Sequence, residues 1–211
     1  MVLQKTMLLA ALLMMLCVSS TQVLAQASAT PPSKRNKIVF DGDMAALLAQ
    51  LAQKYQVNIS LETDPAKAKA NVKIDFWFDT LDDLLDGIIL AAPAYRWRNQ
   101  DGFIDVYQHE AGSVLLETVV SDLQVDNNGW LAASQVLTSS PEVANQMKTL
   151  GMVRRDFERQ RPPVTLFSLK LNNVTLRRAL HEITMKSNNR FWMFERHGRD
   201  GQFFSIINAP F

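Results

Sequence analysis

The sequence predicts an α+β fold: two small modules of helices packed on short mixed sheets, built on β-α-β-β-type repeats. Three observations carry this expectation. Short alternating apolar runs switch repeatedly to helical i, i+3, i+4 spacing. Turn signals fall between them. A strand–helix–strand–turn–strand stretch from Val72 to Tyr107 returns in degenerate form near the C-terminus.

The 211 residues suffice for one large domain or two small ones. Apolar residues make up 47% and charged residues 20%, a globular composition. A net charge of +1 gives no overall field toward nucleic acid or an anionic membrane.

The N-terminus carries the pattern of a signal peptide over residues 1–27. Lys5 precedes an unbroken apolar run from Met7 to Val18, and small residues offer cleavage near Ala25 or Ala27. A bilayer span needs about 20 apolar residues, and this run is shorter. Cys17 is the single cysteine, and Leu16 before it departs from a lipoprotein site. The mature chain is therefore expected to be periplasmic, thiol-free, without a stable membrane span and held together by its core alone.

A proline-bearing linker is expected over residues 28–36, with Lys34, Arg35 and Lys37 as a solvated tether. A short strand from Lys37 follows, and Asp41 or Asp43 can cap a helix from Met44 to Tyr55. Its face is Leu47, Leu48, Leu51 and Tyr55. Val57, Ile59 and Leu61 alternate with Asn58 and Ser60, as in a half-buried strand. The Ala66–Ala70 run, A-K-A-K-A, reads as a mobile crossover. Val72, Ile74 and Phe76 share one strand face, and Lys73, Asp75 and Trp77 share the other. Asp79 or Thr80 caps a helix directing Leu81, Leu84, Leu85 and Ile88 inward, and Pro93 closes it. Two strands then flank the turn Asn99–Gly102.

This region, F-D-G-D-M-A-A-L-L-A-Q-L-A-Q-K-Y-Q-V-N-I, V-K-I-D-F, T-L-D-D-L-L-D-G-I, Y-R-W and F-I-D-V-Y, resembles the short N-terminal domain shared by secretins and TonB-dependent transducers. The likeness covers Lys37 to Gln108. In that family the module precedes a membrane barrel and docks periplasmic partner proteins. No barrel is expected here, so the resemblance implies docking, and neither secretion nor transport is carried over from it. The first module is assigned to residues 37–110 and a second, related one to residues 111–211.

In the second half, Val114–Val125 reads as a kinked strand and Asn127–Gly129 as a turn. Helices are expected over Trp130–Leu137 and Glu142–Met152, with Ser140 as cap and Pro141 at the first position. Arg154 to Arg161, R-R-D-F-E-R-Q-R, is either a partner-binding surface or a solvated loop. The offset that carries Val72 onto Phe167 also carries Thr80-Leu81 onto Thr175-Leu176, Ile88 onto Ile183 and Trp97 onto Trp192.

No catalytic constellation emerges. His109, His181 and His197 lack metal-ligand spacing, and His181 is expected to be exposed on the polar side of its helix. No serine sits in G-x-S-x-G or S-x-x-K. Asp82, Asp83 and Asp86 form an acidic face, and the helix dipole accounts for the first two. Trp97 and Trp192 are assigned to the core or beneath a helix. The expectation is a non-enzymatic protein without cofactor or metal that binds an envelope protein partner and no nucleic acid. Its candidate contacts are Trp77, Lys73, Tyr107, Arg154 and Arg155, with secretin, pilus or TonB-type systems as settings. A glycan- or small-ligand-binding protein using exposed aromatics is the alternative.

Overall fold

The computed structural model describes residues 35–108, 113–155, 164–198 and 202–208. The expected signal peptide, most of the expected linker, His109, residues 156–163, the expected turn at Asp200-Gly201 and Phe211 lie outside them.

The first half runs β1 (Asn36–Asp43), α1 (Met44–Lys54), β2 (Asn58–Thr63), α2 (Pro65–Ala68), β3 (Asn71–Phe78), α3 (Leu81–Ala91), β4 (Tyr95–Gln100) and β5 (Phe103–Gln108). The second begins with a 3-10 turn (Val114–Glu117). It continues as β6 (Val119–Asn128), α4 (Trp130–Thr138), α5 (Pro141–Thr149), β7 (Val153–Arg154), β8 (Phe167–Thr175), α6 (Leu176–Lys186), β9 (Phe191–His197) and β10 (Phe203–Ile207). The fold is α+β.

Local chemistry sets the element ends. Asp43 Oδ1 accepts the Ala46 amide at 2.6 Å and starts α1. Thr80 and Asp83 exchange hydrogen bonds of 3.0 and 3.1 Å in a capping box that starts α3. Thr175 caps α6 by accepting the Arg178 amide at 3.1 Å. Ser140 occupies the cap position of α5 with Pro141 next, but its side chain makes no capping bond. Gln100 pairs with Phe103, so Asp101 and Gly102, both at positive φ, form the two-residue hairpin turn.

Among the described residues the strands form one six-stranded sheet, ordered β4-β5-β2-β9-β10-β7, and two small sheets, β1-β3 and β6-β8. The triplets β4-β5-β2 and β9-β10-β7 repeat one arrangement: an antiparallel hairpin whose second strand pairs in parallel with an earlier strand. They join where β2 runs parallel to β9, with Ile59 level with Phe191 and Leu61 with Met193. The two halves thus share a sheet, and the described residues from Lys37 onward belong to one compact unit.

Strand alternation puts a different core on each face. Ile59, Leu61, Ile104, Val106, Phe191 and Met193 meet residues of α1, α3, β1 and β3 on one side. Phe103, Trp192, Phe194, Phe204 and Ile206 meet α4, α6, β6 and β8 on the other.

Several expectations change. β2 is buried on both faces rather than one, because β5 and β9 flank it and a core lies on either side. The expected mobile crossover contains a short helix, α2, whose Ala68 is buried. The kinked strand from Val114 is a 3-10 turn followed by β6.

Candidate functional site

The exposed side of β1–β3 is the surface that the sequence singled out. Lys73, Asp75 and Trp77 alternate with the inward Val72, Ile74 and Phe76, and Trp77 is 59% exposed. From β1, Lys37 pairs with Asp75 at 2.9 Å and stands over the Trp77 ring, 5.9 Å from its centroid. Lys73 faces Asp41 at 3.9 Å. Val39, also exposed, adds a second apolar residue to this face. The charges are tethered laterally and the indole is held by a cation beside it. The result is an ordered surface with a large apolar anchor.

Between β3 and α3 lies an open groove of about 610 Å³. Gly87 of α3 lets the helix approach, since the Phe76 ring lies where a side chain at 87 would start, with Cζ 2.3 Å from an added Cβ. Asp75, Asp83 and Asp86 line the groove against Lys73, and Leu90, 84% exposed, lies along it.

The other expected contacts lie elsewhere. Tyr107 is half-buried on β5, in the six-stranded sheet, with the Arg98 guanidinium 5.3 Å from its ring centroid. Arg154 is at the opposite edge, on β7. It donates to the Ser134 carbonyl at 2.7 Å, to Ser134 Oγ at 3.0 Å and to Thr138 Oγ1, tying β7 to α4. Arg155 stacks on Phe203 at 3.6 Å. The five expected residues therefore fall in three places: Lys73 and Trp77 on β3, Tyr107 on β5, and Arg154 with Arg155 at the β7 edge. Trp97 is half-buried and donates Nε1–H to Asp86 at 2.8 Å beneath α3, whereas Trp192 is fully buried.

Sequence reasoning missed a buried polar network on the second-half side of the large sheet. His181, expected in solvent, is 1% exposed, and its ring stacks on Phe103 at 3.8 Å. It faces inward because β2 and β5 present Ser60, Glu62 and Asp105 to α6 in the middle of their strands. Asp105 Oδ1 receives Ser60 Oγ at 2.5 Å and His181 Nε2 at 3.1 Å. Arg177, 2% exposed, donates Nε–H to Glu117 at 2.9 Å. Its terminal nitrogens face Glu62 and, at 3.8 Å, Asp105 as ion-pair contacts without hydrogen-bond alignment. Glu62 also accepts the Ser113 amide at 3.0 Å.

Burial pushes the Glu62 carboxyl above its ordinary range despite Arg177. Burial acts the same way on Asp105, but bonds from His181 and Ser60 and the Arg177 charge outweigh it, and Asp105 titrates below the usual range. Burial holds His181 below its ordinary 6.5. Asp105 is thus ionised, and the His181 Nε2 proton points to it.

This arrangement does not activate a nucleophile. In a serine–histidine–carboxylate triad the imidazole takes the hydroxyl proton and the carboxylate orients the imidazole. Here the carboxylate sits in the middle, and all three groups are closed to solvent. A second contact, His197 Nε2 to Ser205 Oγ at 2.8 Å, also fails, because Glu195 approaches the same nitrogen at 3.6 Å and Ser205 is fully buried. Among the described residues no three His, Cys, Asp or Glu side chains gather as a metal site, and no helix is long and apolar enough to cross a membrane. No protein-family model matches the chain, and no curated protein matches it.

Proposed function

We propose that this is an exported, periplasmic, non-enzymatic module that binds a protein partner in the bacterial envelope. The observation that carries the binding part is Trp77. It is a large apolar side chain facing solvent from an ordered strand, beside tethered charges, and interface hot spots favour such residues. The N-terminal pattern supports export, and the resemblance of residues 37–108 to the secretin and TonB-transducer short domain supports the envelope setting.

The test is capture from envelope extracts with the full mature chain as bait. Trp77→Ala should leave the fold's stability within about 0.5 kcal/mol, since the side chain is largely exposed. It should weaken capture by roughly thirtyfold, the effect of losing a hot spot of about 2 kcal/mol. Equal capture by both proteins, or by neither, removes the reading. The glycan-binding alternative rests on the same indole; a rise in melting temperature with peptidoglycan fragments, without protein capture, would select it.

A further inference from the structure

Resting on the protein-binding reading, we propose that the groove between β3 and α3 takes an extended segment of the partner that alternates basic with apolar side chains. The groove is bordered by four consecutive residues, Lys73 to Phe76. Successive side chains of a strand point to opposite faces, so a wall made of consecutive residues is the strand's edge. Among the described residues β3 pairs with β1 alone. Its other backbone edge therefore lies toward the groove without a strand neighbour, which suits an extended occupant better than a helix.

The sign of the groove selects the side chains. Three carboxylates, Asp75, Asp83 and Asp86, stand against one ammonium, Lys73. Each carboxylate already uses one oxygen within the molecule: Asp75 toward Lys37, Asp83 toward the Thr80 amide and Asp86 toward the Trp97 indole. These contacts fix the carboxylates in place, and a carboxylate has about four acceptor sites, so each can take a further donor. Lys73 is partly balanced by Asp41 and Asp75 by Lys37, so Asp83 and Asp86 set the sign of the groove. An anionic peptide, lipid headgroup or nucleic acid would meet repulsion here, and a basic segment attraction. Leu90, exposed on α3, gives apolar side chains of the occupant a partner, and Trp77 continues the apolar surface along β3.

The test uses the full mature chain and fluorescein-labelled peptides of about ten residues, the reach of an eight-residue strand with short overhangs. One alternates Lys with Val, a second Glu with Val and a third Lys with Ser. Fluorescence anisotropy should show the Lys–Val peptide binding about tenfold more tightly than either control, with affinity falling as salt rises. Leu90→Lys, at an exposed position, should leave the melting temperature unchanged and weaken Lys–Val binding about tenfold. Equal binding of the Glu–Val peptide, or no effect of Leu90→Lys, overturns the proposal. So does self-association in analytical ultracentrifugation that Leu90→Lys abolishes, since the groove then belongs to a second copy. Envelope capture that is lost in Trp77→Ala yet unchanged in Leu90→Lys also overturns the groove proposal, while leaving the partner-binding reading intact.

Discussion

Replacing Arg177 with methionine tests whether the buried network is an ion-pair clamp. The side chain is 2% exposed and neutralises two carboxylates, Glu62 and Asp105, that are equally enclosed. Methionine fills much of the volume but leaves Glu62 without its cation and Asp105 with Arg98 alone, whose Nε lies 3.4 Å away. Removing one partner of a buried pair costs about 3–5 kcal/mol at neutral pH. With a urea m-value of about 2 kcal/mol/M, the unfolding midpoint should fall by about 1.5–2.5 M. The deficit should shrink at pH 5, because burial has already raised the Glu62 pKa and loss of the guanidinium raises it further, so this carboxyl can take up a proton. Adding Glu62→Gln to Arg177→Met should recover part of the loss at pH 7. Urea titrations by far-UV circular dichroism measure all of this. A midpoint shift below about 0.5 M, or a deficit independent of pH, would refute the clamp.

Three further outcomes follow from the same geometry. His181 has a folded pKa below its ordinary 6.5, so unfolding lets the ring gain a proton. Its contribution is complete above about 6.5 and is lost as pH falls through the folded value. Glu62 works in the opposite sense, its burial cost easing as pH falls toward 4.5, so His181→Gln should flatten only the acid-sensitive component of a stability–pH profile. Gly87→Ala should lower stability by about 1–2 kcal/mol, because overpacking against the Phe76 ring exceeds the gain in helix propensity; calorimetry should show about 2–8 °C. Thr80→Ala removes the capping box of α3 and should cost about 1 kcal/mol, whereas Thr80→Ser should cost little, as chemical denaturation can verify.

Much of the fold was legible because its determinants are local. Thr80 before Leu81, Asp43 before Met44 and the Asp101-Gly102 turn act through neighbouring backbone atoms, and the structure uses all three. The outward phase of Trp77 was equally readable, from alternation along β3. His181 was not. In L-R-R-A-L-H-E-I-T, Arg177, His181 and Thr184 form a polar stripe beside the apolar Leu176, Ala179, Leu180 and Ile183, and periodicity alone sends such a stripe to water. What buries it is a partner far along the chain: Ser60, Glu62 and Asp105 stand in mid-strand on β2 and β5. The signal available was complementarity, acids inside two apolar strands and Arg with His one turn apart on a helix. Reading it required knowing that β2 lies beside β9, a long-range pairing that no local rule specifies.

That seam also bears on how the chain acquires its structure. β2 must wait for β9, and the Arg190 side chain reaches the Gln56 carbonyl across 134 positions. Such non-local pairing slows folding and leaves a β2 edge unpaired while the second half is still being made. A nascent chain ending before β9 would carry that edge as a template for another chain's β9. Two molecules exchanging second halves would reproduce the native contacts outside the connecting segment, giving a swapped dimer favoured by high local concentration.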